Sequence, residues 1–520
     1  MMTRDVSPDR KWSKLKFKQS RSWHRLLALA IGAMVLAAFG PTIVHAAPPT
    51  LESLAANDGK LQVSIDTTWV LLSGCLVFFM QCGFALLEAG LVRQTSVVNT
   101  LMENFIDAAV TILAWWAVGF GLAFGTSAGG FFGTDNFFLA QALTIQDGVV
   151  SYATGAGGSS AQIDTFALFF YQFCFAATAS TITTGALAER TDFVGDLIYT
   201  TIMGAISYPI IAHWAWNTGG WLYKLGYHDF AGSGVVHAVG GVTSLVGAWL
   251  LGPRPNRVWG DIPSPHNLSL ATLGTMILWF GWYGFNSGST LSMGTPGLAS
   301  LVSVNTTLAG GAGAMSALFY GFWRTYVFWR TGKWNLFCAL NGSLAGLVAV
   351  TCPCAYIMPW AAVVIGLIAG VLVIVVVDVV EGWKIDDPVG AVAVHGSCGT
   401  WGVLALGLFG QPGLVRVDEA TKLPFAPGGL FITGDFKLLL IQFISWLAIA
   451  GFTAAFGFVM FASLNAIGRL RVHPKADALG IDVYEHGASA WPDVYPIDHL
   501  VEADQQSSED QYPKEGKSFG

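Results

Sequence analysis

The stretch DFAGSGVVHAVGGVTSLVGAWLLG, Asp229 to Gly252, is apolar and rich in glycine, and it carries one histidine, His237, in its interior. A helix of this length and composition is typical of a membrane span. A titratable side chain at the depth of the lipid tails is costly, and such residues usually have a function. The stretch therefore predicts a membrane helix with a functional histidine.

A second stretch, DPVGAVAVHGSCGTWGVLALGLFG from Asp387 to Gly410, repeats this pattern. His395 lies eight residues after Asp387, as His237 lies eight residues after Asp229. Glycines also recur four and fifteen residues after each histidine. The two stretches therefore indicate an internal repeat.

The composition of the whole chain supports a membrane protein. Of 520 residues, 53% are hydrophobic and only 11% are charged, which is typical of a chain that crosses the membrane several times.

The sequence has no Walker motif, GxSxG elbow or HExxH motif, so we expect a protein that is not an enzyme. Its seven cysteines lack metal-ligand spacing. We therefore expect no metal, no cofactor and no nucleic-acid partner.

Hydrophobic runs of spanning length predict the domain organisation. The first 46 residues combine a basic run, an apolar run and Val44-His45-Ala46, and they predict a cleaved signal peptide. A domain of eleven transmembrane helices is expected over 47–465, and a cytoplasmic regulatory tail, disordered toward its end, over 466–520. The expected spans are 67–91, 98–124, 166–187, 194–216, 230–252, 268–287, 298–323, 335–354, 358–380, 388–410 and 436–465.

The spans predict an all-α polytopic fold built as a five-plus-five inverted repeat plus one extra helix. Cleavage of the signal peptide places the N-terminus outside the cell, and eleven spans then place the C-terminus in the cytoplasm. The predicted outer loop 125–163 has no Lys or Arg, as the positive-inside rule requires. Eight helical residues span about 12 Å, nearly half of a hydrocarbon core about 30 Å thick. Both histidines are therefore expected near the membrane midplane, in a cell (inner) membrane protein.

Each of these candidate residues also has an ordinary structural explanation. A single buried histidine is often only hydrogen-bonded in a core, but two at equivalent repeat positions favour a shared site. Asp229 is either a helix N-cap or a carboxylate that attracts a cation near a pore. Aromatic residues near the outer helix ends form either an interfacial belt or a cation site. Glu88 is expected to pair with Arg93.

Six stretches resemble the ammonium transporter, methylammonium permease and Rhesus protein family, and among its members the bacterial ammonium transporters. The resemblance covers roughly 67–490. The stretches are GFALLEAGLVR from Gly83, YQFCFAATASTITTGALAER from Tyr171, DFAGSGVVHAVGG from Asp229, WYGFNSGS from Trp282, NGSLAGLVAVT from Asn341 and AVHGSCGTWG from Ala393.

The resemblance implies a homotrimer with one pore in each subunit. It also implies a regulatory tail that packs beneath a neighbouring subunit, and a PII-type signalling protein as a possible partner. By motif position, Phe175 and Phe285 would be the outer gate, and His237 and His395 the pore histidines. Trp216 and Ser289 would form the external ammonium site together with Tyr171 and with Asp229 beneath it, and Thr351 and Asn341 would line the path. Tyr171 stands where the family more often has phenylalanine.

The sequence thus predicts an ammonium transporter. Ammonium, or methylammonium as its analogue, is expected to bind at the outer aromatic site and lose a proton, and ammonia then crosses the twin-histidine pore with proton co-transfer. Two alternatives remain open at this stage. The protein either also senses ammonium through its tail, or it is a Rhesus-like channel for the neutral gas.

Overall fold

The computed structural model describes residues 51–158, 163–260, 265–295, 297–329, 331–415 and 428–493. Contacts divide the chain into two units, Met1–Gly59 and Lys60–Gly520. The predicted signal peptide, 1–46, lies outside the described residues. The functional site described below lies within the second unit.

The described residues contain eleven long helices, α1 to α11. Their bounds are Leu51–Leu91 (α1), Gln94–Phe124 (α2), Thr165–Leu187 (α3), 193–216 (α4), Ser233–Leu251 (α5), Leu268–Ser287 (α6), Leu298–Trp329 (α7), Leu336–Thr351 (α8), Pro359–Gly382 (α9), Val392–Phe409 (α10) and Lys437–Ala466 (α11). Shorter helices cover Trp221–Leu225 and Leu430–Thr433.

Nine helices of the described residues are long and apolar enough to cross a membrane. The predicted spans 298–323 and 335–354 are also helical, as α7 and α8, but they are not among these nine, and α8 has only 16 residues. A mostly helical, multi-pass membrane fold of the all-α class is therefore confirmed. The count of eleven spans stays a prediction.

Polar side chains mark where several of these helices begin. The carboxylate of Asp164 accepts a hydrogen bond from the Ala167 amide at the start of α3. Asp192 does the same for α4, and Asn267 and Asn335 do so for α6 and α8. Each side chain accepts from an amide that has no partner within its helix, which stabilises the helix end.

The segment between α2 and α3 forms two small antiparallel hairpins, which the sequence analysis did not predict. Ser127–Ala128 pairs with Phe132–Gly133, and Leu143–Gln146 pairs with Val149–Tyr152. Asp-Gly at 147–148, with positive φ at both residues, turns the second hairpin. We call the end of the helical bundle that carries these hairpins the loop end.

The other end of the bundle, which we call the tail end, carries the segment after α11. Two short helices, Lys475–Leu479 (α12) and Ile481–His486 (α13), lie in this segment. The Asp482 carboxylate accepts from the amides of Val98 and Asn99 at the start of α2. The guanidinium of Arg471 donates to the carbonyl of Leu251, the last residue of α5.

An ion network around two buried carboxylates joins four interhelical connections at the tail end. Arg254 pairs with Asp386 at 2.8 Å and with Glu189 at 2.9 Å. Arg93 also pairs with Glu189. The expectation that Arg93 would pair with Glu88 is therefore wrong. The partner of Arg93 is Glu189, in the connection that follows α3.

Asp386 receives enough positive charge to stay ionised despite its burial. Burial alone would raise its pKa, but the hydrogen bonds from Arg254 and the charge of Arg190 hold the pKa well below its usual range. Arg190 is fully buried and donates to four main-chain carbonyls, including that of Asp386. Burial lowers the pKa of its guanidinium to about 10.

The helices α5 and α10 cross in close contact and run in opposite directions. An added Cβ at Gly241 would lie 2.1 Å from the Gly396 amide nitrogen, and one at Gly399 would lie 2.8 Å from the Ala238 amide nitrogen. Residues later in α5 thus contact residues earlier in α10, as expected for antiparallel helices. His237 and His395 are 158 residues apart. The same offset relates Gly241 to Gly399 and Ala238 to Gly396, so it converts one of these contacts into the other. Contacts about a twofold axis are reciprocal in this way.

Both crossing helices begin in the same unusual way. The Asp229 carboxylate accepts hydrogen bonds from the four amides of residues 232–235, and the Asp387 carboxylate accepts from the three amides of residues 390–392. The third residue after each acid is a glycine with positive φ, +114° at Gly232 and +82° at Gly390. Asp229 therefore caps its helix, which is one of the two roles considered for it, and Asp387 does the same for α10.

A π-turn follows each of these caps. It covers Ser233–Ala238 in α5, which includes His237, and Val392–Ser397 in α10, which includes His395. A third π-turn, Tyr283–Ser287 in α6, carries Phe285. Such turns insert an extra residue into a helix and are frequent at functional sites.

Candidate functional site

Four rings form a continuous stack in the interior of the bundle. Phe175 of α3 stacks on Phe285 of α6 with centroids 4.0 Å apart and planes 20° apart. Phe285 stacks on His237 at 5.4 Å, and His237 stacks on His395 at 5.2 Å. Three of these side chains are at most 1% exposed and His395 is 5% exposed. The two predicted gate residues and the two predicted pore histidines therefore belong to one stack.

The two histidines are in direct contact through their nitrogens. The Nδ1 atoms of His237 and His395 are 3.2 Å apart. In a neutral pair, one Nδ1 must donate and the other must accept. The two Nε2 atoms are then different, because one is an acceptor and the other carries a hydrogen. The pair can therefore offer a neutral polar molecule both a donor and an acceptor.

Tyr171 and Ser289 lie beside the phenylalanine pair. The Tyr171 hydroxyl is 3.0 Å from the carbonyl oxygens of Gly284 and Phe285 and 3.2 Å from Ser289 Oγ. Ser289 donates to the Phe285 carbonyl, so its oxygen keeps acceptor capacity. The tyrosine hydroxyl thus ties α3 to the end of α6 and holds the serine beside the gate.

Trp216 and Asp229 complete the predicted site at the loop end. Trp216 is half-buried, its ring packs edge-on against Phe175 at 5.9 Å, and its Nε1 donates to the Asp229 carbonyl at 2.8 Å. The Asp229 carboxylate accepts from the cap amides and from the Tyr227 hydroxyl. Both carboxylate oxygens of Asp229 thus accept hydrogen bonds, and its carbonyl oxygen holds the indole of Trp216.

Trp282 is a site residue to which the sequence analysis gave no role of its own. Its indole stacks on His237, with centroids 5.2 Å and planes 19° apart. Its Nε1 donates to Thr351 Oγ1 at 2.9 Å. The Thr351 hydroxyl therefore holds the indole that packs on His237, and the predicted place of Thr351 along the pore stays a prediction. The position of Trp282 three residues before Phe285 was the signal available in the sequence.

Asn341 lines a small cavity on the tail-end side of His395. The cavity measures about 20 Å³, enough for about one water molecule. His395, Glu88 and Asn341 supply its polar side chains. Asn341 is therefore brought to the histidine pair, as predicted, and Glu88 is a second residue that the sequence analysis did not assign to the site.

The described residues contain no group of three or more His, Cys, Asp or Glu side chains arranged to hold a metal ion. The site thus consists of stacked rings, two imidazoles and a few hydroxyl and amide groups. This arrangement suits a small polar molecule that passes in neutral form.

Comparison with known proteins gives concordant matches. A family model described as Ammonium Transporter Family matches residues 68–491. Ammonium transporter Amt2 of Archaeoglobus fulgidus is 42% identical over 464 residues, covering 86% of this chain and 91% of that protein. A putative ammonium transporter of Synechocystis is 37% identical over 436 residues, covering 82% of this chain and 89% of that protein.

Solved structures match over a similar range. A structure titled "Sensor Amt Protein" has a TM-score of 0.71 at 34% identity and covers 82% of this chain and 100% of that chain. Mep2 of Candida albicans has a TM-score of 0.72 at 28% identity, covering 82% of this chain and 90% of that chain. The range of the family model, 68–491, includes the helices that carry the ring stack.

Proposed function

The chain belongs to the ammonium transporter family, and from this premise we propose that it binds ammonium at the loop end, removes a proton and conducts ammonia past His237 and His395. The observation that carries this proposal is the direct Nδ1 contact of the two histidines within the ring stack. The proton is proposed to cross separately, so that transport moves charge.

The loop-end residues support capture of a cation. The half-buried Trp216 offers a ring face, and a cation on an aromatic face gains about 0.5 to 2 kcal/mol. Ser289 Oγ offers an acceptor for an N–H group. The buried negative charge of Asp229 lies close by, since its carbonyl binds the same indole, and it favours a cation by Coulomb attraction.

Loss of the proton follows from the cost of burying an ion. A charge at bilayer depth without a partner costs several kcal/mol, whereas neutral ammonia avoids most of this cost. Potassium has a similar size but no proton to release, so the same step excludes it. The phenyl rings of Phe175 and Phe285 are in van der Waals contact at 4.0 Å, so they must separate to admit ammonia.

The histidine pair supports a route for the proton. Imidazole accepts at one nitrogen and donates at the other, and the Nδ1 contact joins the two rings. A proton accepted by one ring can therefore leave from the other. If ammonia and the proton both cross, the membrane potential drives uptake by about 2.3 kcal/mol per 100 mV.

The test is to record current and methylammonium uptake from the same proteoliposomes. We expect ammonium to evoke a current and methylammonium to be taken up, whereas an equal concentration of potassium evokes no current. Undiminished uptake without current would contradict the proton route and favour a Rhesus-like neutral channel. A potassium current would contradict deprotonation as the selectivity step.

Ammonium sensing is a second candidate function, in addition to transport. It is favoured by the contact of the tail with the start of α2 through Asp482 and by the match to a structure titled "Sensor Amt Protein". Sensing requires the tail to respond to the ligand. Amide hydrogen exchange of 480–487 should then change on addition of ammonium, and an unchanged exchange rate would contradict sensing through this contact.

We propose an assembly and an orientation to accompany this function. The inverted repeat is supported by the opposite directions of α5 and α10 and by their reciprocal glycine contacts. The family resemblance supports a homotrimer and a PII-type partner at the cytoplasmic face. The loop end is assigned to the outside because 125–163 lacks Lys and Arg. The mass of the purified protein tests the trimer, and protease access to the tail in sealed vesicles tests the orientation.

A further inference from the structure

Glu88 of α1 is a buried carboxylate on the tail-end side of the histidine pair. It is 2% exposed and lines the same small cavity as His395 and Asn341. The cavity has room for about one molecule of the size of water or ammonia. A molecule that passes His395 toward the tail end therefore meets the Glu88 carboxyl group.

The hydrogen-bond partners of Glu88 are neutral. Asn104 Nδ2 donates to Oε2 at 2.9 Å, and the Thr184 hydroxyl is 3.1 Å from the same oxygen. Arg93, which follows α1 and is the nearest arginine in the sequence, binds Glu189 instead. Within the part of the chain that the structure describes, Glu88 forms no ion pair. A buried carboxylate without a cation is unstable unless it takes up a proton or a cation enters beside it.

A second polar group points to a ligand in this cavity. Asn341 is 4% exposed, and its Nδ2 has no hydrogen-bond partner among the residues described. A buried amide that lacks a partner loses free energy unless a mobile molecule binds it. Asn341, Glu88 and His395 thus surround a space that suits a small polar molecule.

We propose that Glu88 returns the proton to ammonia after the histidine pair, so that ammonium is reformed in this cavity. This assignment rests on the proposed function, in which the proton and ammonia cross separately. The imidazolium of His395 gives its proton through the cavity to the Glu88 carboxylate. Ammonia then takes that proton from the carboxylic acid, because it is the stronger base.

The step balances in atoms and charge. An N–H bond of His395 breaks and an O–H bond forms on Glu88. That O–H bond then breaks and the fourth N–H bond of ammonium forms, which restores the carboxylate. The ammonium ion briefly supplies the cation that the Glu88 carboxylate lacks. The ammonium ion then leaves toward the tail end, because water solvates it better than the cavity does.

The experiment compares Glu88→Gln and Glu88→Asp with the wild type in proteoliposomes. Glutamine keeps an oxygen for Asn104 and Thr184 but cannot exchange a proton, whereas aspartate can. Asp378→Asn is the matched control, because Asp378 pairs with Arg324 in a half-exposed ion pair outside the cavity. The readout is the ammonium-evoked current divided by the methylammonium uptake, measured between pH 5 and pH 8.

We expect E88Q to lower this ratio by about tenfold or more, and E88D and D378N to keep it within about threefold of wild type. E88Q should also flatten the pH profile of the current. A wild-type ratio in E88Q would overturn the role of Glu88 but would leave the proposed function standing. Equal loss in E88Q and E88D, together with equally lowered unfolding temperatures, would show a structural role and also overturn it. Uptake without current in wild type would overturn the proton route itself.

Discussion

The orientation of the His237 ring is set by the residues packed around it. Trp282, Phe285 and His395 all stack on it within 5.4 Å and with planes at most 28° apart. Its Nε2 has no partner among the described residues, although the ring is fully buried. Stacking therefore holds the imidazole in place while it leaves one nitrogen for a passing molecule.

The hydroxyl of Thr351 should stabilise the protein through Trp282. Thr351→Val removes the acceptor of the buried indole N–H, which should lower the free energy of unfolding by about 1 to 3 kcal/mol. In a Trp282→Phe background the same change should cost less, because the indole N–H is absent. Denaturant unfolding in detergent of the two single variants and the double variant checks this. Additive losses would contradict the pairing.

Residue-scale prediction from the sequence succeeded where a residue type recurs at repeat positions. The contact of the two histidines was anticipated in this way, because spacing along a helix is preserved in three dimensions. Trp282 and Glu88 were missed, because a tryptophan near a helix end and an acid near an arginine each have an ordinary explanation. Only the packing of α6 and α1 against the histidine helices distinguishes the alternatives.

At the scale of elements, the crossing of α5 and α10 brings the histidines together. Glycines at the crossing let the two backbones approach, and the π-turns set the direction of each imidazole. The sequence predicted both helices and their repeat relation. It did not reveal the π-turns, because an inserted residue in a helix leaves the hydrophobic pattern almost unchanged.

Alanine at either crossing glycine should separate these helices. A Cβ at Gly241 would lie 2.1 Å from the Gly396 amide nitrogen, and one at Gly399 would lie 2.5 Å from the Ser233 carbonyl oxygen. Overpacking of this kind costs about 1 to 3 kcal/mol or more, and both variants should lose transport.

Gly451→Ala in α11 is the control for this steric effect, because nothing lies within 4 Å of its added Cβ. It should unfold at or above the wild-type temperature, since alanine favours a helix over glycine by up to about 1 kcal/mol. Thermal unfolding and methylammonium uptake check all three variants. Wild-type uptake in Gly241→Ala would show that the close approach is not needed.

At the scale of the whole molecule, the tail end is held by ionic and main-chain contacts rather than by apolar packing alone. Asp386, which precedes α10, pairs with Arg254, which follows α5. In the tail, Asp482 accepts from the start of α2 and Arg471 donates to the end of α5. The family resemblance predicted from the sequence is confirmed. The partners in this network were not predicted, because they are far apart in the chain.

Asp386→Asn should destabilise the protein by about 1.5 to 3 kcal/mol at neutral pH, because it removes one of the two carboxylates that pair with Arg254 and leaves only Glu189. The folded-state pKa of Asp386 is lowered. Its stabilising contribution is therefore full above the unfolded pKa of about 3.9 and is lost as the pH falls through the lower folded value.

The unfolding free energies of wild type and D386N should therefore differ by a constant amount from about pH 8 to pH 5. The difference between them should shrink below about pH 4. Asp378→Asn removes a half-exposed pair and should cost less than about 1 kcal/mol at any pH. Chemical unfolding across this pH range provides the measurement. A difference between wild type and D386N that persists undiminished to the lowest pH would contradict an ionised Asp386.

The account depends most on the histidine pair as part of the transport path. Its most direct test is methylammonium uptake by His237→Ala and His395→Ala in proteoliposomes, with His266→Ala as the control, since His266 binds the Val92 carbonyl away from the ring stack. We predict that both pore variants fall to about a tenth of wild-type uptake or less, while His266→Ala keeps it. Full uptake in both pore variants would contradict the account.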